Sequence, residues 1–226
     1  MSRHALVTGA SSGIGRAIVE RLLQEGWQVS GLSRSAEGSE HPALHSIAVD
    51  LYDRAALAAV LSELPPVDAF VHAAGLMQAA ALGTLDEEIS QRLWYLHVQV
   101  AEIIANALVN TLPADGRIIL IGSRTSRGAA GRSQYVSTKA AMVGMARSWA
   151  AELAPRGITA NVVAPGATAT PMLNQPGRAS SPPKLPPIGR YIQPDEVAAL
   201  VSFLLSPAAA AITGQELVIC GGASLN

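Results

Sequence analysis

Apolar positions along the chain fall into two alternating rhythms. Short β-branched and aliphatic runs, "HALVT", "QVSGL", "HSIAV", "DAFVHA", "RIILIG", "ITANVVA" and "ELVIC", are separated by longer stretches in which apolar residues return every three or four positions. The longer stretches predict helices over about 13–24, 54–62, 85–112, 134–154 and 195–205. In the fourth of these, Val136, Ala140, Val143, Ala146, Trp149 and Leu153 mark the expected apolar stripe. Strands alternating with helices predict an α/β fold, a doubly wound parallel sheet of seven strands with helices on both faces. Seven strands fill residues 1–226 as a single domain. One segment breaks the rhythm: "TPMLNQPGRASSPPKLPPIGR", residues 170–190, is rich in proline, glycine and serine. A loop of that length in a compact domain is a lid or binding element, or is disordered.

Composition narrows what such a domain does. Apolar residues make up 49% of the chain and charged residues 15%, which is enough apolar surface for a sizeable core. A formal net charge of -1 gives no electrostatic reason to expect nucleic acid or an anionic membrane as partner. The single cysteine, Cys220, excludes an intrachain disulfide and a cysteine-based metal cluster, and no metal site is expected. The N-terminus runs straight into a strand-and-turn pattern without an apolar signal core, and no apolar run approaches the ~20 residues that cross a bilayer. These features read as a soluble protein of the cytoplasm.

Candidate chemistry sits at the turns. The first strand ends in "TGASSGIG", with Gly9, Gly13 and Gly15 ahead of a helix. Glycine permits a tight turn and close approach of backbone to ligand, and the free N–H groups of a helix start suit a pyrophosphate. Farther on, "YVSTK" places Tyr135 and Lys139 four residues apart, on one face of a helix. A tyrosine can move a proton at a reacting oxygen, but a free phenol, with a pKa near 10, is poorly matched to that task at neutral pH. A neighbouring ammonium favours the tyrosinate; lowering the phenol by ~2–3 pH units takes about 3–4 kcal/mol of differential interaction. Read alone, the glycine turn competes with an ordinary strand–helix turn, a reading weakened by its place right after the first strand, and "YVSTK" is better read as a solvated helix face.

In combination they resemble the short-chain dehydrogenase/reductase family along almost the whole chain. The glycine turn is similar to TGxxxGIG, "HAAG" at 72–75 to NNAG, "YVSTK" to YxxxK with Ser123 in "IGS" upstream, and "NVVAPGATATPM" at 161–172 to N-x-x-x-P-G. The resemblance implies a Rossmann-type fold and a nicotinamide cofactor. Gly9, Ser11, Ser12, Gly13, Ile14 and Gly15 would cradle its phosphates, with Ala73, Gly75, Pro165, Gly166, Thr168 and Thr170 along its length. Tyr135 would be the acid/base and Ser123 would orient the substrate oxygen. Lys139 would tune the phenol and, beside Tyr135, bind the nicotinamide ribose. Asp50, with Leu51 beside it, would meet the adenine edge. Helices 85–112 and 134–154 are the family's usual contact surfaces, which implies a homotetramer or homodimer.

Two positions depart from the pattern. Where the family carries an asparagine as fourth catalytic residue, the stretch "RLWYLHVQV" places His97. One reading makes the imidazole a pH-sensitive member of a proton relay, neutral because Lys139 is close; the other makes it a packed helix histidine. "HAAG" also lacks the usual asparagines. After the second strand, Ser33 stands where an NAD-selecting carboxylate would be, followed by Arg34, whose guanidinium suits a 2′-phosphate. NADP(H) is favoured over NAD(H), against the reading of Arg34 as a solvated loop residue.

The expected partner is a small carbonyl or alcohol substrate. Met172, Leu173, Arg178 and Lys184 lie in the 170–190 loop, and Arg124, Arg127 and Arg132 between Ser123 and Tyr135. These cations would attract a carboxylate or phosphate, or are solvated or engaged at subunit contacts. Two functions of different class follow. The first is an NADP(H)-dependent oxidoreductase interconverting a ketone or aldehyde and an alcohol; the second is a cofactor-binding sensor or scaffold with weak or no turnover, resting on His97. Length and glycine spacing exclude an extended-branch epimerase or dehydratase. An enoyl reductase is disfavoured because those relatives space the tyrosine and lysine more widely.

Overall fold

The structure, a computed structural model, describes residues 2–35, 41–175, 178 and 181–225. Strands β1 (His4–Thr8), β2 (Gln28–Ser33), β3 (Leu44–Ala48), β4 (Ala69–His72), β5 (Arg117–Ile121), β6 (Thr159–Pro165) and β7 (Glu216–Ile219) form one sheet in the order β3-β2-β1-β4-β5-β6-β7. Every strand pair is parallel. Helices α1 (Gly13–Gln24), α2 (Arg54–Glu63), α3 (Glu87–Trp94), α4 (Val100–Leu108), α5 (Ser133–Leu153) and α6 (Pro194–Leu205) cover its two faces. Among the described residues no helix is long and apolar enough to cross a membrane.

The central strands read as continuous apolar runs because both of their faces are buried. Leu6 pairs with Phe70 and Phe70 with Ile118, all pointing into the layer with Val100, Ile104 and Met142. One residue along, Val7, Val71 and Ile119 point to the other layer, where Ile18 and Leu22 of α1 meet Val197, Val201 and Leu204 of α6. Side chains such as Leu6, Phe70 and Ile118 are almost fully buried. Each contributes roughly 1.5–3 kcal/mol through burial, and cutting Leu6 to alanine costs about 2–5 kcal/mol. The strand order reverses between β1 and β4, and at such a switch point the loops diverge and leave a crevice beyond the carboxyl ends of the strands.

Two helical expectations change. The stretch expected to be helical over 85–112 forms α3 and α4 over 87–108, joined by a π turn at Tyr95–Gln99 where the Val100 N–H donates to the Tyr95 carbonyl five residues back. That wider turn contains His97. In α5 the buried residues are Thr138, Lys139, Met142, Ala146, Ala150 and Leu153, whereas Val136 and Val143 are half-buried and Ala140 is exposed. The face carrying the lysine, not the stripe through Val136 and Ala140, points inward. The helix packs small and sulfur-containing side chains against the sheet and delivers two polar groups to the crevice. Of the segment expected to be a loop, residues 176, 177, 179 and 180 lie outside the described residues; the rest opens with a short 3-10 turn, Pro171–Asn174.

Candidate active site

The loops after β1, β4, β5 and β6 enclose a cleft of about 620 Å³. Its floor at the β1–α1 turn is bare backbone. Gly9 holds φ at +69° and packs so closely that an added Cβ would stand 2.8 Å from the Ala74 nitrogen; a Cβ on Gly15 would stand 2.1 Å from the Gly9 carbonyl oxygen. Ser12 caps α1 without a side-chain hydrogen bond, so its hydroxyl does not cover the first-turn N–H groups. Short backbone, no side chains and a free helix start form a cradle that fits a pyrophosphate.

Most of the residues picked out from the sequence come together here. The cleft is lined by Gly9, Ser12, Gly13, Ile14 and Gly15 from the turn and by Arg34 at its rim. Ala73, Gly75 and His97 follow, then Ser123, Tyr135 and Lys139, and finally Pro165, Gly166, Thr168 and Thr170. Ser11, Ser33, Asp50 and Leu51 fall outside the lining. Ser33 Oγ donates to its neighbour's carbonyl at Ser35 (2.5 Å) and Asp50 Oδ1 accepts the Tyr52 N–H (3.0 Å), while Leu51 is buried in the core. Asn161 of the N-x-x-x-P-G segment also faces away: its amide donates to the Ile212 carbonyl (2.7 Å) and accepts the Gln215 N–H (3.0 Å), tying β6 to the approach of β7.

Ser123 follows β5 and caps a 3-10 turn, its Oγ accepting the Thr125 N–H at 3.2 Å and lying 2.9 Å from Thr125 Oγ1. When the Thr125 hydroxyl is the donor, the Ser123 proton is free to point into the cleft. Lys139 is buried, and its Nζ donates to the Ile121 carbonyl (2.8 Å) and approaches Met142 Sδ (3.6 Å). Nζ lies 5.8 Å from the centre of the Tyr135 ring. Burial without a counter-ion pulls the Lys139 ammonium down from 10.5 to about 7.

Lys139 by itself does not depress the tyrosine. Burial pushes the Tyr135 phenol above its ordinary 10.0, and the opposing pull comes from the Ser123 hydroxyl and the guanidiniums of Arg178 and Arg132. A lysine that is itself close to half-neutral at pH 7 has little charge to lend, and desolvation of the phenolate wins. The tyrosine is therefore held as a protonated phenol across the neutral range.

Two buried histidines hold the cleft's inner wall. His97 Nε2 accepts the Leu76 N–H (3.1 Å), and its Nδ1 therefore carries the proton and donates to Thr138 Oγ1 (2.8 Å), whose own proton goes to the Tyr135 carbonyl (2.8 Å). Its ring meets the Tyr135 ring edge-on, with centroids 5.7 Å apart. His72 takes the opposite tautomer. Thr8 Oγ1 accepts the N–H groups of Ala73 and Ala74 (3.1 Å each) and gives its own proton to His72 Nδ1 (2.9 Å), leaving Nε2–H for the Leu96 carbonyl in the π turn (3.0 Å). Burial first, then the nearby Lys139, pushes His72 down to about 3 and His97 well below 6.5, so both rings are neutral. Sequence reasoning missed Thr8, His72 and Thr138. The one signal for them was a hydroxyl and an imidazole closing two strands that the fold makes neighbours.

The charge around these groups is one-sided. Arg34, Arg124, Arg132, Lys139, Arg178 and Lys184 line the cleft, and among the described residues no aspartate or glutamate does.

Comparison with known proteins places this architecture. A family model described as Enoyl-(Acyl carrier protein) reductase matches residues 9–224. The chain is 35% identical over 234 residues to 3-oxoacyl-(acyl-carrier-protein) reductase FabG of Vibrio cholerae, covering 96% of each. It superposes on a short-chain dehydrogenase family protein from Francisella tularensis with a TM-score of 0.91 at 27% identity, covering 100% of both chains. A short-chain dehydrogenase from Burkholderia cenocepacia in complex with NADP matches with a TM-score of 0.88 and 31% identity, over 98% of this chain and 97% of that one. With a glycine cradle, a Ser–Tyr–Lys constellation and these matches along nearly its full length, the chain belongs to the short-chain dehydrogenase/reductase family of NAD(P)-dependent oxidoreductases.

Proposed function

We propose that the protein is an NADP(H)-dependent reductase of a ketone or aldehyde, with Tyr135 as the proton donor. The observation that carries this reading is a protonated phenol, a serine hydroxyl and a buried lysine converging on a cleft that begins at the glycine cradle. When bound, the nicotinamide supplies the hydride. Ser123 donates a hydrogen bond to the carbonyl oxygen and fixes it beside Tyr135, which gives that oxygen its proton as charge develops there. Lys139, anchored to the Ile121 carbonyl and with a pKa close to pH 7, is suited to return a proton to the spent phenolate. Two hydroxyls facing one point suit an oxygen, which favours a carbonyl over an enoyl double bond as the group reduced.

Preference for NADP(H) is supported by Arg34 at the cleft rim, by Ser33 rather than a carboxylate at the end of β2, and by the NADP carried by the Burkholderia relative. His97 is read as a positioning residue, since both of its nitrogens are committed to protein partners. Assembly as a homodimer or homotetramer is supported by the half-exposed α5 stripe of Val136, Ala140 and Val143 and by exposed Trp94 on α3. Replacing Tyr135 by phenylalanine should lower kcat by about 10²–10⁴, the usual contribution of a general acid, with calorimetric NADPH affinity unchanged. Retained turnover would remove Tyr135 from its role.

A further inference from the structure

Arg132, just ahead of α5, is half-buried and clamped by two bonds to Ser181, from Nε to Oγ at 2.8 Å and from Nη2 to the carbonyl at 2.9 Å. Those bonds leave Nη1 without a protein acceptor among the described residues. Arg178 reaches the same space from the segment after β6. It too is half-buried, and its Nε is shut away from water with no hydrogen-bond partner among the described residues. Neither guanidinium has a carboxylate within ion-pair distance among the described residues; the four ion pairs found involve Arg16, Arg21, Arg127 and Arg190.

The pair is electrostatically uncomfortable as it stands. Each cation is desolvated, and the charge of Arg178 depresses the pKa of Arg132. Two like charges held together away from water need an anion to offset them. A clue to where that anion would lie is that Arg178 and Arg132 are the two cations that pull on the Tyr135 phenol. The cofactor cradle, by contrast, lies at the β1–α1 turn, with Arg34 beyond β2 on the far side of the sheet's switch point.

We infer that Arg178 and Arg132 form a subsite for an anionic group on the carbonyl substrate, so that the enzyme selects keto acids or keto phosphates over neutral ketones. This inference rests on the carbonyl-reductase reading of the cleft. Arg132, pinned by Ser181, supplies one half of the subsite; Arg178, which lines the same cleft, supplies the other, and its Nε would gain a partner. Carboxylate and phosphate share the geometry that a guanidinium reads. The class of reaction that supplies such a substrate is one leaving a ketone a few bonds from an acid or phosphate group.

The test uses the full-length protein, purified without ligand. NADPH oxidation is measured with 2-oxopentanoate, 4-oxopentanoate, the methyl ester of each, and acetol phosphate, for wild type, Arg178→Gln and Arg178→Lys. The wild type should show kcat/KM about tenfold or more higher for an acid than for its ester, the value of a charged hydrogen bond. Arg178→Gln should reduce that acid-to-ester ratio to near one, mostly through KM, and Arg178→Lys should restore part of it. Preference for acetol phosphate over the acids would assign the subsite to phosphate, and the reverse to carboxylate. Equal ratios in wild type and Arg178→Gln overturn the subsite while ester turnover keeps the reductase reading. Calorimetric titration of 4-oxopentanoate and acetol phosphate into the NADP+ complex, where no turnover occurs, separates the two ideas further. Anion binding about tenfold weaker in Arg178→Gln supports the subsite even if none of the five ketones is reduced, and no difference in binding sinks it.

Discussion

Lys139 carries a cost that pH reveals. Its pKa falls from 10.5 to about 7 on folding, which at about 1.36 kcal/mol per pH unit corresponds to roughly 5 kcal/mol against the folded state. Because the folded value is the lower one, the unfolded chain holds the extra proton between pH 7 and 10.5, and stability rises with pH across that window. At pH 7 about 4 kcal/mol of the penalty remains, at pH 9 about 2, and above the unfolded value it vanishes. Lys139→Met keeps the length of the side chain and removes the charge. The variant should lose turnover yet melt above wild type at pH 7, with an advantage that shrinks as pH rises. At about 2.1 cal/mol/K of unfolding entropy per residue over 226 residues, the gap in Tm should narrow by about 4–5 °C between pH 7 and 9.

Scanning calorimetry on both proteins, at one protein concentration and without ligand, checks this. The change with pH is the readout, because the methionine also abandons the Ile121 carbonyl and that loss is the same at every pH. No other group of the inner cleft interferes: His72 and His97 are neutral well below the window and Tyr135 titrates above it. A Tm gap that stays constant from pH 7 to 9 would refute the reasoning, because it would mean that Lys139 is solvated or paired in the folded protein.

Arg34→Asp should lower the NADPH-to-NADH ratio of kcat/KM by about a hundredfold, the worth of a bidentate phosphate contact replaced by repulsion; steady-state kinetics with both cofactors decides, and an unchanged ratio removes Arg34 from the argument. His97→Asn should destabilise the protein by about 2–4 kcal/mol through two lost buried hydrogen bonds, measured by urea unfolding. The pH midpoints of its kcat profile should stay where they are, since the ring does not titrate; a displaced limb would restore histidine to the proton relay.

The parts of the fold that could be read from sequence are those fixed by local chemistry. Runs such as "RIILIG" announce a strand buried on both faces, and "TGASSGIG" announces a turn that only glycine can make, as the 2.1 Å contact facing Gly15 shows. Ser123, Tyr135 and Lys139 were readable from their order and spacing. The inward face of α5 was not, because amphipathic periodicity sends polar residues outward and this helix turns Thr138 and Lys139 in. The π turn has no compositional signature; it is a single displaced hydrogen bond. The link from Thr8 to His72 depends on register between β1 and β4, which bring together residues 64 positions apart. The direction of the Tyr135 shift was out of reach for the same reason: desolvation is a property of everything packed around the ring, whereas the i,i+4 lysine is visible in one line of sequence.

That reversed shift bears on how the site is charged in use. Among the described residues six cations and no carboxylate line the cleft, and Lys139 yields most readily because it alone is buried among them. The two histidines are neutral partly because Lys139 is present, so the inner wall can carry one positive charge rather than three. Anions entering the cleft reverse the balance: each favours the ammonium form of Lys139 and raises its pKa. A charged lysine then pulls on Tyr135 where the half-neutral one does not, which makes the phenol a better acid only once the cleft is loaded. Stabilisation by an anionic ligand should therefore be pH-dependent, larger at pH 6 than at pH 9, because at pH 6 Lys139 already carries its proton whereas at pH 9 it must take one up as the ligand binds. Isothermal titration in buffers of different ionisation enthalpy counts that proton directly; uptake near zero at pH 8 would mean that Lys139 keeps one charge state whether or not the cleft is filled.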